Sequence, residues 1–156
     1  MTEFHQIIFY ILFACCAIIS IVGDFVLYKG IANGKLIKSI RENGQDISTA
    51  NDMLNQALGE KAARWIQAIE AMIPSLLSLI PVAGLYFQGR YFENADLSHT
   101  LMAYLLVQIL DGIFVNVKWP TPMFPERPIT KMLVITTGIF SLLGYILLVF
   151  IFIQAI

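Results

Sequence analysis

Three acidic residues stand inside long apolar runs of this 156-residue sequence: Asp24, Glu70 and Asp111. A carboxylate at membrane depth is rare. It faces a bundle interior or a water-filled cavity, where it holds an ion pair, binds a cation or passes a proton. Two of the three have polar companions at helical spacing. Arg64, Gln67 and Glu70 follow one another at i, i+3 and i+6, and Gln108 precedes Asp111 by three, so each set shares a helix face. All three acids fall a turn or two from the same end of their runs, roughly 7–10 Å inside that boundary at about 1.5 Å per residue. Matched depth lets residues far apart in sequence meet. Asp24, Arg64, Gln67, Glu70, Gln108 and Asp111 are therefore expected to form one polar intramembrane layer, with Asn116 close to it. Arg64 and snorkelling lysines would balance the charge there. If Arg64 and Glu70 are a buried pair, removing Arg64 should cost about 3–5 kcal/mol. Pro74 and Pro81 add to the polarity of this region, because each leaves a carbonyl without its helical partner, at Glu70 and Leu77. Freed carbonyls beside a carboxylate resemble the broken helices that hold ions in transporters.

The other reactive residue types form no constellation. Cys15 and Cys16 are adjacent in an apolar run, and the sequence holds no third cysteine. Neighbouring cysteines rarely bridge, so packing or lipid contact is their expected role. His5 and His99 fall near the edges of their runs, not at the depth of membrane haem or metal ligands. No catalytic residue, no metal site and no cofactor is expected.

These residues need elements to position them, and composition says which. The chain is 58% hydrophobic and 13% charged, against about 45–50% and 25% in soluble domains. Mean hydropathy is +0.73. A soluble fold of this size has too little interior for that much apolar surface, and the net charge of −1 gives no attraction to nucleic acid. The expectation is an all-α integral membrane bundle in one domain, 1–156, with four transmembrane helices at about 7–28, 65–87, 98–117 and 132–156. The first run lacks a basic n-region and a small-residue cleavage site, so it is expected to remain as a helix. Small residues give two of the helices close-packing faces: Ala14, Ala17, Ser20 and Gly23 on the first, Thr137, Ser141 and Gly144 on the fourth.

Nine of the ten basic residues lie between spans one and two or between spans three and four, and only Arg90 lies elsewhere. The positive-inside rule then puts both termini outside, in a bacterial inner membrane or a plasma membrane. Gly30, Gly34, Asn43 and Gly44 are expected to break the first half of the long cytoplasmic loop, 29–64. Thr49 and Asp52 resemble a capping box, and Ile47, Leu54, Leu58 and Trp65 recur at helical spacing. They predict an amphipathic cytoplasmic helix over 49–64. Four prolines between 120 and 128 predict an extended, polyproline-like connector with Trp119 at the interface. Its Pro122-x-x-Pro125-x-Arg127 run fits an SH3-ligand pattern, but both ends are tied to the membrane, and a stiff connector is the expected role.

Two resemblances concern the second span. Arg64, Gln67, Glu70 and Pro74 resemble the Arg, Asn, Glu and Pro on the second helix of the membrane-associated eicosanoid and glutathione (MAPEG) proteins. Gln stands for Asn, and the Glu-to-Pro spacing is off by one. That likeness implies an intramembrane enzyme acting on a lipophilic substrate. Residues 74–84 resemble the second helix of the MotA/TolQ/ExbB proton-channel subunits at Pro74, Val82 and Gly84, with Ile80-Pro81 in place of that family's Gly-Thr pair. Neither likeness extends to the rest of the chain. The leading expectation is a non-enzymatic subunit or oligomeric component of a membrane assembly, in contact with the bilayer and with other membrane subunits or copies of itself. The alternatives are an ion or proton pathway through the acidic layer and a MAPEG-like enzyme.

Overall fold

Two glycines with positive φ divide the first half of the chain. The computed structural model describes residues 3–156. Helix α1, Glu3–Ala32, ends in a turn at Gly34 (φ 65°), and α2 starts at once as Lys35–Leu58. Gly59 (φ 83°) then separates α2 from α3, Glu60–Gly89. Left-handed backbone of this kind carries no steric penalty at glycine. A single 3-10 turn at Arg90–Phe92 leads to α4, Ala95–Lys118, and residues 119–130 connect to α5, Lys131–Ala155. Asn94 caps α4 by accepting from the amides of Asp96 and Leu97. Thr130 caps α5 by accepting from the Leu133 amide. Both caps satisfy amides that have no partner inside the helix.

No named strand occurs among the described residues. Helices α1, α3, α4 and α5 are long and apolar enough to cross a membrane. Helix α3 packs between α1 and α4, α4 packs on α5, and a lighter contact joins α1 to α5.

The helix between the first two apolar helices is longer and differently bounded than the sequence predicts. It begins at Lys35, not at 49, and stops at Gly59 before reaching 64. Of the expected breakers, only Gly34 ends a helix. Gly30, Asn43 and Gly44 are helical. Thr49 does not cap; its hydroxyl donates to the Gln45 carbonyl one turn back. A continuous inner face explains the extension, because Ile37, Ile40, Gly44, Ile47, Asn51 and Leu54 are all buried or half-buried at alternating spacings of three and four. Gly44 lies where the proline segment docks: a Cβ there would come within 2.9 Å of the Pro122 carbonyl oxygen and of Pro125 Cγ. Contact with that segment offsets the roughly 1 kcal/mol that glycine costs inside a helix.

The proline segment itself is folded, not extended. Thr121 and Phe124 close a turn through reciprocal backbone hydrogen bonds, with Pro122 at the position that favours its fixed φ. The Arg127 guanidinium donates to the carbonyls of Asn116 (2.6 Å) and Trp119 (3.1 Å) and lies over the Phe124 ring. It thereby satisfies carbonyls at the end of α4. Trp119 is not at the surface. It is 3% exposed, and its indole N–H donates to Thr137 Oγ1 at 2.8 Å.

The bundle has two unlike halves. Toward the chain termini, Phe9, Cys16, Val82, Leu85, Leu97, Leu101, Leu148 and Ile151 form an apolar core. His5 stacks on Tyr91 and hydrogen-bonds the Gln88 side chain at that end. Cys16 belongs to this core and Cys15 is exposed. Toward α2 and the proline segment the interior is polar.

The Gly44 contact is testable. Gly44→Val should lower unfolding stability by about 1–3 kcal/mol through overpacking and make 119–130 more sensitive to protease in detergent. Gly23→Ala should be neutral or slightly stabilising, since nothing lies within 4 Å of a Cβ there.

Candidate functional site

The polar half is built by small and hydroxyl-bearing residues spaced along helix faces. Helix α1 contributes Cys16, Ser20 and Asp24 at successive i+4 steps. Helix α4 contributes Tyr104, Gln108 and Asp111, and α5 contributes Ser141, Gly144 and Tyr145. Most of these, with Ser78 of α3, line one cavity of about 160 Å³. Gly144 permits the close approach of α4: a Cβ there would lie 3.0 Å from Gln108 Nε2.

Asp24 is held by two donors from α5. Ser141 Oγ donates to Asp24 Oδ1 at 2.9 Å and the Tyr145 hydroxyl donates to Oδ2 at 2.7 Å. Hydroxyl bonds to an ionised carboxylate are stronger than those between neutral groups. Asp111, across the cavity on α4, is differently placed. Its Oδ1 is buried with no hydrogen-bond partner among the described residues. The Tyr104 hydroxyl is likewise unpartnered, on a side chain that is 1% exposed. Among the described residues no lysine, arginine or histidine lines the cavity. The cavity thus offers oxygen ligands and two carboxylates, with spare valence at Asp111 and Tyr104 and no internal counter-charge.

The structure brings Asp24, Gln108 and Asp111 together and leaves Arg64, Gln67 and Glu70 apart from them. Arg64 pairs with Glu60, one turn back on α3, and both side chains are largely exposed. Gln67 is half-buried farther along α3. Glu70 is exposed and borders a second hollow, with Ser75 and Asn116. The physical reason is depth: the α3 residues that line the cavity are Ser78 and Val82, eight and twelve residues beyond Glu70, which is about 12–18 Å along the helix at about 1.5 Å per residue. Asn116 donates to Ser75 Oγ and to the Gly112 carbonyl. The hydroxyls of Ser20, Ser78, Tyr104, Ser141 and Tyr145 did not enter the expected layer. Their signal was the i, i+4 spacing from Ser20 to Asp24 and from Ser141 to Tyr145, a polar stripe read as small-residue packing. His99 is exposed, and no cluster of three His, Cys, Asp or Glu suited to a metal ion occurs among the described residues.

No family model matches the chain, and neither a curated protein nor a solved structure is significantly similar to it.

Two substitutions separate the cavity from the exposed pair. Arg64→Ala should change stability by less than about 0.5 kcal/mol, as for other exposed i, i+4 pairs. Tyr145→Phe, which removes a donor to a carboxylate, should cost about 1.5–3 kcal/mol. Thermal unfolding of both variants in the same detergent measures the contrast.

Proposed function

We propose that this chain is a multi-pass membrane protein whose helical bundle carries a site for a small cation or a proton between Asp24 and Asp111. One observation carries the reading: two carboxylates line a single cavity that holds no basic side chain among the described residues. Like charges facing one cavity repel, by about 4 kcal/mol at 4 Å and an effective dielectric of about 20, and less in proportion to distance beyond that. A cation relieves that repulsion, whether it is a proton on one carboxyl or an alkali ion between the two.

The membrane setting rests on the exterior of the four helices. Ile18, Ile21, Phe25, Leu76, Ile80, Leu106, Leu110, Ile139, Leu142 and Ile146 all point outward and are exposed. Such a belt is costly in water and neutral in hydrocarbon. The basic residues support an orientation. Gly44 of α2 meets Pro122 and Pro125, so the two segments that hold nine of the ten basic residues lie at one end of the bundle. The positive-inside rule makes that end cytoplasmic and both termini external. The cavity then lies near the middle of the bundle, on the cytoplasmic side of the apolar core. Membership in a larger membrane assembly is compatible with this site; a MAPEG-like activity has less support, since Arg64 and Glu70 share no site.

Reconstitution tests the ion reading. Proteoliposomes under an imposed potential should show proton or sodium entry above protein-free vesicles, and Asp111→Asn should abolish it without altering helix content. No flux of either cation above the protein-free level would overturn the reading. For orientation, a cysteine placed at Gln154 in a Cys15→Ser, Cys16→Ser background should react with an impermeant maleimide from the outer side only. Labelling from the cytoplasmic side would refute it.

A further inference from the structure

We infer that the hollow beside Glu70 is a lateral binding groove for a membrane lipid whose headgroup carries a primary ammonium. The inference rests on the membrane-spanning reading and requires nothing of the Asp24–Asp111 cavity. The groove measures about 340 Å³ and lies where α2, α3, α4 and the proline segment meet. That volume falls in the lower part of the roughly 300–1,000 Å³ range of small-molecule sites. Its walls are largely apolar, with Ile47 from α2, Val115 from α4 and Met123 from the proline segment. Its polar lining residues are Glu70 and Ser75 on α3, Asn116 on α4 and Thr121 in the proline segment. A largely apolar trough with a single carboxylate among its polar groups fits an amphiphile.

Depth and charge identify the head. Exposed Trp65 is one and a half turns before Glu70, and an indole of this kind marks the membrane interface. Glu70 then lies about 7 Å deeper at about 1.5 Å per residue, at the boundary between headgroups and acyl chains. A carboxylate there requires a partner. Among the described residues Glu70 forms no ion pair, and Arg64, six residues back on the same helix, pairs with Glu60. Pro74 has no N–H and so leaves the Glu70 carbonyl without its helical donor. Glu70 therefore presents two kinds of acceptor, a carboxylate and a main-chain carbonyl, and the missing component is a cationic donor. A primary ammonium supplies three N–H groups, whereas a quaternary ammonium supplies none and a glycerol headgroup brings a net negative charge toward Glu70. Outside the groove, exposed Ile73, Leu77 and Ile80 continue along α3 and give the acyl chains an apolar track.

The test uses the full chain purified in maltoside detergent and offered equal amounts of phosphatidylethanolamine, phosphatidylcholine and phosphatidylglycerol with identical acyl chains. Native mass spectrometry should find phosphatidylethanolamine retained about tenfold over phosphatidylglycerol, the scale of one charge-assisted hydrogen bond. Glu70→Gln should remove the preference and Asp111→Asn should keep it. Equal retention of the three headgroups, or a preference that survives Glu70→Gln, would overturn the headgroup assignment. A wild-type chain that retains no lipid of any kind would overturn the membrane reading beneath it. A Glu70→Gln change in oligomer mass with no effect on lipid retention would make the groove a contact between copies and overturn the proposal. The wild-type competition needs no variant, so poor folding of Glu70→Gln would not remove the test.

Discussion

Asp24 ties the first long helix to the last. The contact of α1 with α5 is lighter than the contacts of α3 with α1 and α4 or of α4 with α5, so the ring of four helices has one weak seam. Across that seam run the two hydroxyl bonds from Ser141 and Tyr145 to the Asp24 carboxylate. The stacking of Phe13 on Phe152 and the bond from the Tyr10 hydroxyl to the Ala155 carbonyl add to it nearer the termini. For a bundle set in hydrocarbon, as proposed, burial gives little drive for one apolar helix to adhere to another, and polar contacts and close packing take over. On that reading an acid on α1 with donors on α5 closes the seam beside the cavity.

This arrangement also explains the division of the bundle into an apolar half and a polar half. The terminal half is filled by Phe9, Leu85, Leu97, Leu101 and Ile151, each fully or almost fully buried. A rigid base of that kind fixes the angles at which α1, α4 and α5 leave it. The other half can then hold space between small residues without collapse. The folded proline segment covers that half from below, anchored by Arg127 on the end of α4 and by the backbone approach at Gly44.

Much of the secondary structure was legible in the sequence, since four runs of about 20 apolar residues have few alternatives. The start of α2 was not, because Gly44 and Asn43 are breakers by intrinsic preference, and tertiary contact with Pro122 and Pro125 overrides that preference. The proline segment misled for a related reason: local φ restriction predicts extension, while Arg127 and the turn at Thr121 and Phe124 fold it back. In the site, Asp24, Gln108 and Asp111 were found from depth. Arg64, Gln67 and Glu70 lie apart from them because the level of the acids on α3 falls at Ser78 and Val82, more than two turns beyond Glu70, a displacement that counting from the ends of apolar runs does not reveal. The Ser20–Asp24 and Ser141–Tyr145 spacings mark the faces of α1 and α5 that meet at the carboxylate.

The Asp24 closure also has an order in time. Its partners come 117 and 121 residues later in the chain. At about 5–20 residues per second of synthesis, the first helix waits roughly 6–25 s with a carboxylate that has no donor from α5. A nascent chain read as spanning the bilayer must tolerate that interval by keeping the acid at the translocation channel or by lending it to a neighbouring protein. A chain cut short before α5 never ends the wait. It would present a permanently unsatisfied acid in the membrane, a feature by which incomplete chains could be told from finished ones.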